Sequence, residues 1–207
     1  MFELGGSMLY HVRSKPHNIN REAEFVSGRV SIGWPCGRDL RGLSRKELED
    51  ILNEQYKHHM NAHNVSQVEQ FLHIKSGSII LTPSEADKKE MHIFRTLGNV
   101  EYNSERDNNT DGDPHGVAVE LLITVKKSLL PTGVQSSLKG AKKTVSNFSK
   151  HASAMKQFLE KAESLEKPTV TTQFEVQEKA KEILIDALNS DIESIRVTAA
   201  AALYQPS

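Results

Sequence analysis

The sequence has a single cysteine, Cys36, among 207 residues. A lone thiol excludes an internal disulfide framework and a thiolate-rich zinc site, and it makes a reducing, cytoplasmic setting the default expectation. Flat rings are scarce too, with one tryptophan, Trp34, and 6% aromatic residues in all. No run approaches the roughly 18 apolar residues of a membrane span, and no charged-then-apolar export signal opens the chain. No membrane partner is expected. The chain also lacks a Gly-x-x-x-x-Gly-Lys-Ser/Thr phosphate loop, a Gly-x-Ser-x-Gly elbow and a His-Glu-x-x-His pair, the signatures that would assemble a familiar active site. The expectation is therefore a protein that is not an enzyme and carries no cofactor, with any catalysis left to a separate domain or partner.

Net charge is scarce as well. Lys plus Arg is 26 against 27 for Asp plus Glu, a formal net charge of −1. As one number this speaks against a nucleic-acid binder. The distribution reverses that reading. Lys126 to Leu159 holds seven lysines and no acidic residue, whereas Glu160 to Ser207 holds nine acidic residues and five basic ones.

Residues 1–7, M-F-E-L-G-G-S before a second methionine, read as a start-site extension or cloning scar. From Met8 the apolar pattern predicts strands at Leu9 to Arg13, ended by Pro16, and at Arg29 to Trp34, ended by Pro35. Ser44-Arg45-Lys46-Glu47 is a capping box opening a helix, and Ser66-Gln67-Val68-Glu69 repeats it before Phe71 and Leu72. Further strands are expected at Ile79 to Thr82, Met91 to Leu97 and Val117 to Val125, the last with five apolar side chains from Val117 to Val125 on one face. Five strands with helices between the early ones predict an α+β fold, a small curved sheet or open β-barrel flanked by helices. Beyond it, residues 168–207 read as a helical pair. Val176, Ala180, Ile183, Leu184 and Ala187 form one apolar face, Asn189-Ser190-Asp191 the turn, and Ile192, Ile195, Ala199 and Leu203 the second face. The pair resembles one HEAT-type repeat, which cannot stack on itself. A docking or dimerisation appendage is the expectation.

Candidate chemistry is sparse. His58, His59 and His63 have a metal-like spacing but no fourth ligand, so a solvated helix end is preferred. His115, before the long strand, is read as a satisfied loop histidine. Trp34 closes a strand beside Pro35 and Gly37, where a ring can be offered to a ligand or can cap the core.

The ordered set Tyr10-His11-Val12-Arg13-Ser14-Lys15-Pro16, Val30-Ser31-Ile32-Gly33-Trp34 and Asp39-Leu40 with Leu43 to Leu48 resembles the opening of the PUA-like EVE domain. The version at the N-terminus of Mrr-type restriction proteins is the nearer likeness, and YTH domains are distantly similar. The resemblance runs on through Phe71 to Ser84, His92 to Arg95, Gly98 to Tyr102 and Val117 to Val125, covering residues 8–159. It implies a PUA-like fold and a reader of double-stranded DNA carrying a modified base, methylated or hypermodified, flipped into an aromatic cage. Carried over by position, Ser14, Lys15, Trp34, Asp39, Pro83 and Ser84 line the pocket, with Tyr102, Phe94 or Tyr10 as a second ring. Lys126, Lys127, Lys139, Lys142, Lys143 and Lys150 are candidates for phosphate contacts. The implied role is a cytoplasmic sensor for a restriction or defence effector, docked as an effector nuclease or second copy on the C-terminal helices. The alternative is an RNA-binding or protein-interaction module of the same fold, without base flipping.

Overall fold

The computed structural model describes residues 8–57, 60–166 and 181–203. The chain divides into two compact units, meeting between Phe158 and Leu159. His58 and His59 lie outside the described residues, so the histidine cluster is represented by His63 alone.

The first unit is an α+β fold around a curled mixed sheet. Its strands are β1 (Leu9–Val12), β2 (Arg29–Ile32), β3 (Ile79–Pro83), β4 (Glu90–Thr96), β5 (Glu101–Tyr102), β6 (His115–Lys126) and β7 (Val145–Asn147). The order is β2-β6-β4-β3-β1-β7, with β5 also on β6. Only β1 and β3 run parallel; every other pairing is antiparallel. Five strands are where the sequence puts them. The two additions, β5 and β7, have two and three residues, too few to show an alternation.

The helices of this unit are α1 (Glu22–Val26), α2 (Arg45–Gln55), α3 (Ala62–Leu72), α4 (Thr132–Lys139) and α5 (Ala152–Glu166), the last running across the unit boundary. At α2 the expected capping box is present: Ser44 accepts from the Glu47 N–H, and the Glu47 carboxylate accepts from the Ser44 N–H at 2.8 Å. The second box is not an N-terminus. Asn61 caps α3 instead, its Oδ1 accepting from the His63 and Asn64 N–H groups at 3.0 Å each. Ser66 sits inside the helix and donates back to the Ala62 carbonyl at 2.8 Å, a bond a serine can make once its helix has begun upstream.

One face of the sheet is sealed. Tyr10, Val12, Val30, Ile32, Ile80, Phe94, Val117, Val119 and Val145 pack with Leu48 and Leu52 of α2 and Val65, Val68 and Phe71 of α3 in one buried cluster. The expected single face of β6 does not hold along its length. Phe94 pairs with Leu121 but Ile93 pairs with Ile123, a bulge that leaves Leu122 extra. Paired residues share a face, so Ile123 and Val125 turn with Ile93 and Met91 to the other side. That second face also carries Leu9, His11 and Leu81 by register. On this side Phe148, in the turn after β7, stacks on His11, and Leu130 before α4, Val134 in α4 and Met155 in α5 are also buried.

In the second unit residues 181–187 are helical and α6 spans Glu193–Leu203. Arg196 donates to the Ser190 carbonyl at 2.7 Å across the turn between them. Ala199 is buried while Ile183, Ile192 and Ile195 are exposed; the expected contributions of Val176 and Ala180 lie outside the described residues.

Candidate nucleic-acid interface

The acid-free lysine stretch folds as a connected surface rather than a tail. It leaves β6 at Lys126 and Lys127, where the Lys127 N–H donates to the Lys89 carbonyl at 2.7 Å and its ammonium to the Lys88 carbonyl at 2.6 Å. Pro131 precedes α4, and Lys139 stands in that helix's last turn, where a cation meets the negative end of the helix dipole. Lys142 and Lys143 follow in a loop whose exit is fixed from α3. The buried Gln67 accepts from the Thr144 N–H at 2.7 Å and from the Val145 N–H at 3.3 Å. Two depressions result. One, about 600 Å³, is bordered by Lys127 and Lys139; the other, about 640 Å³, by Lys142, Lys143 and Lys150, and Ala141 borders both. Among the described residues none of Lys126, Lys127, Lys139, Lys142, Lys143 and Lys150 meets a carboxylate in an ion pair. Cations gathered on one surface outside any ion pair can meet the phosphates of a polyanion backbone.

The pocket residues fall into two groups. Ser14, Lys15, Pro83 and Ser84 come together at the ends of β1 and β3. Buried Ser14 donates to Glu85 at 2.8 Å, and Lys15 pairs with the same carboxylate at 2.6 Å, as does Lys88. Burial pushes the Glu85 carboxyl up, but the hydrogen bonds from Lys15, Lys88 and Ser14 outweigh it and hold the group down at about 2. Ser84 donates to Glu22 at 2.7 Å, and the same Glu22 oxygen meets His92 Nε2 at 2.8 Å. Ser14 and Ser84 are thus committed to intramolecular partners.

Asp39 and Tyr102 gather instead around His115, at the opposite end of β6, and Trp34 follows the strand that pairs with it. Trp34 is half-buried and leans on the sealed core. It follows β2, whose last residue pairs with His115, whereas Pro83 pairs with Met91, which sits opposite Val125. Asp39 is forked by Arg41, with Nε at 3.0 Å from both oxygens and Nη2 at 2.7 Å from one. Those bonds hold its carboxyl below the usual range. Tyr102 donates to Asp107 at 2.9 Å and lies 5.2 Å from the His115 ring. Burial first, and then that carboxylate, push the Tyr102 hydroxyl up to about 12. His115 is fully buried; its Nε2 accepts from the Leu40 N–H at 3.1 Å, which leaves the neutral ring's proton on Nδ1. Burial lowers its pKa against the Asp39 carboxylate 3.5 Å from Nε2, which raises it, and Nδ1 is left without a hydrogen-bond partner. Among the described residues Trp34 stacks on no other ring.

Two features have no clear signal in the sequence. Asp113, a loop residue by composition, is buried and accepts from Ser31 at 2.5 Å, Arg29 at 3.0 Å and Arg106 at 2.7 Å, with Arg29 and Arg106 also reaching Glu24. Burial raises the Asp113 carboxyl, yet the guanidinium and hydroxyl donors more than offset it and keep it ionised. Gly116 belongs to this knot, since a Cβ there would meet the Arg29 guanidinium at 2.6 Å. The other feature is His11, a buried strand histidine that stacks on Phe148 and borders the cavity of Lys127 and Lys139.

No protein-family profile matches the chain, and no curated protein does. Among solved structures it is similar to the NMR structure of Rpa0253 from Rhodopseudomonas palustris, at 11% identity over 74% of this chain and 91% of that one, with a TM-score of 0.38. A likeness of that size carries no argument about function.

Proposed function

We propose that the first unit is a PUA-like, EVE-type nucleic-acid-binding module that lays its lysine face along the backbone of duplex DNA and reads a modified base. The observation that carries this reading is the placing of Lys139, Lys142, Lys143 and Lys150 around adjoining depressions, with no acidic partner among the described residues. Partly buried Trp34 is the ring we assign to the base, and the resemblance to Mrr-type N-terminal modules makes the role that of a sensor for a restriction or defence effector. The module itself performs no chemistry in this reading.

The test is fluorescence anisotropy with labelled duplexes carrying different base modifications, at two salt concentrations. Lys142→Gln with Lys143→Gln should weaken every duplex about equally and make the log–log salt slope shallower by about two, one for each lost phosphate contact. Trp34→Ala should leave that slope unchanged and remove discrimination between modified and unmodified duplexes. Duplex binding that is unaffected by the lysine pair and insensitive to salt would refute the reading.

A further inference from the structure

The cavity on the α4 side of the sheet has a composition of its own. It lies on the face opposite the sealed core, by the ends of β1 and β3, and its volume of about 600 Å³ is within the range of pockets that take small organic ligands. Pro83, Met91 and Leu138 supply apolar wall, and Glu85 supplies an ionised acceptor. Arg13, Lys127 and Lys139 add three cations that meet no carboxylate among the described residues, while Lys88 is paired with Glu85. His11 completes the wall. It is 4% exposed, stacked on Phe148 with ring centres 5.8 Å apart, and its Nδ1 is buried without a hydrogen-bond partner. Burial and then the charges of Arg13 and Lys127 push His11 down to about 4, and burial with Lys88 lowers Lys127 against Asp87 and Glu85, which raise it.

Apolar wall for a flat ring, an acceptor for its polar edge and cations outside any ion pair for an anionic group are the requirements of one ligand class. We propose that this cavity is a second binding site, which takes a nucleoside monophosphate unit with its phosphate toward Arg13, Lys127 and Lys139 and its base against Met91 and Leu138. The unit is either a free nucleotide or one nucleotide of a strand. The second source rests on the nucleic-acid-binding reading above, and the first does not.

Calorimetric titration of the full chain with adenosine 5′-monophosphate, guanosine 5′-monophosphate, adenosine and inorganic phosphate tests the site. At least one monophosphate should bind saturably, in the micromolar to low millimolar range, with adenosine and phosphate each at least tenfold weaker. Arg13→Gln with Lys139→Gln, both exposed side chains, should weaken it at least tenfold, and Ser128→Trp at the exposed rim should block it, with unfolding midpoints unchanged. No saturable monophosphate binding, equal binding of the nucleoside, or indifference to these variants overturns the proposal. Displacement of bound monophosphate by a single-stranded oligonucleotide assigns the site to a strand, and failure of displacement assigns it to the free nucleotide. Duplex binding retained without monophosphate binding removes this proposal alone; the reverse removes only the nucleic-acid reading.

Discussion

The two faces of the sheet are equally buried at the strands but differ in what lies beside them. On one, α2 and α3 press Phe71, Val68 and Leu52 onto Phe94, Ile80 and Val117, all essentially without solvent contact. On the other, Leu81, Ile93 and Met91 are just as buried, but a cavity rimmed by cations opens beside Met91. The contrast is repeated in two buried histidines: His115 on the sealed face accepts a backbone hydrogen bond, whereas His11 on the open face borders the cavity. A face that binds needs surface that folding has not already consumed, and the α4 side retains it in a cavity with both apolar and cationic walls.

The largest test of this contrast is truncation. Phe71→Ala, which empties a fully buried site, should cost about 3–5 kcal/mol. Leu138→Ala, at the half-buried cavity wall, should cost about 1 kcal/mol, the transfer free energy of a partly exposed side chain. Equal costs in urea denaturation would erase the distinction between the faces. A smaller effect probes how α4 is seated: a Cβ on Gly133 would lie 2.8 Å from the His151 ring, so Gly133→Ala should destabilise by about 1–3 kcal/mol. Gly140→Ala, seven residues on at ordinary contact distance and negative φ, should be neutral or stabilising by less than about 1 kcal/mol.

The subtlest test is titration. His11 should titrate in NMR near 4, and Arg13→Gln should raise that midpoint while His115 does not move. The sign for stability follows. Between the ordinary 6.5 and about 4 the unfolded chain takes up a proton that folded His11 refuses. Its contribution is therefore complete above 6.5 and is lost as the pH falls through that window.

What the sequence showed depended on how many residues carried each signal. Five strands and the Ser44 capping box were legible because each involves several residues in a local pattern. The Ser66 box misled because Asn61, a single polar residue four positions before Val65, starts the helix earlier. The β6 alternation misled because one bulged residue reverses the faces after Leu121. In the candidate site the lysines were visible as composition, but their gathering around two depressions depends on Gln67 and Ala141, side chains unremarkable in the sequence. His11 becomes distinctive only once Phe148, 137 residues on, stacks on it.

The parallel pairing of β1 with β3 bears on how the chain reaches this state. On its two edges β1 bonds to residues 79–81 and 145–147, so neither neighbour exists when the N-terminus leaves the ribosome. Closing those loops costs chain entropy before any strand bonds repay it, and non-local pairing of this kind slows folding. The N-terminal strand should be among the last to gain amide protection in pulse-labelling hydrogen exchange. A nascent chain ending before Val145 would present β1 as a bare edge, open to pairing with a neighbouring chain.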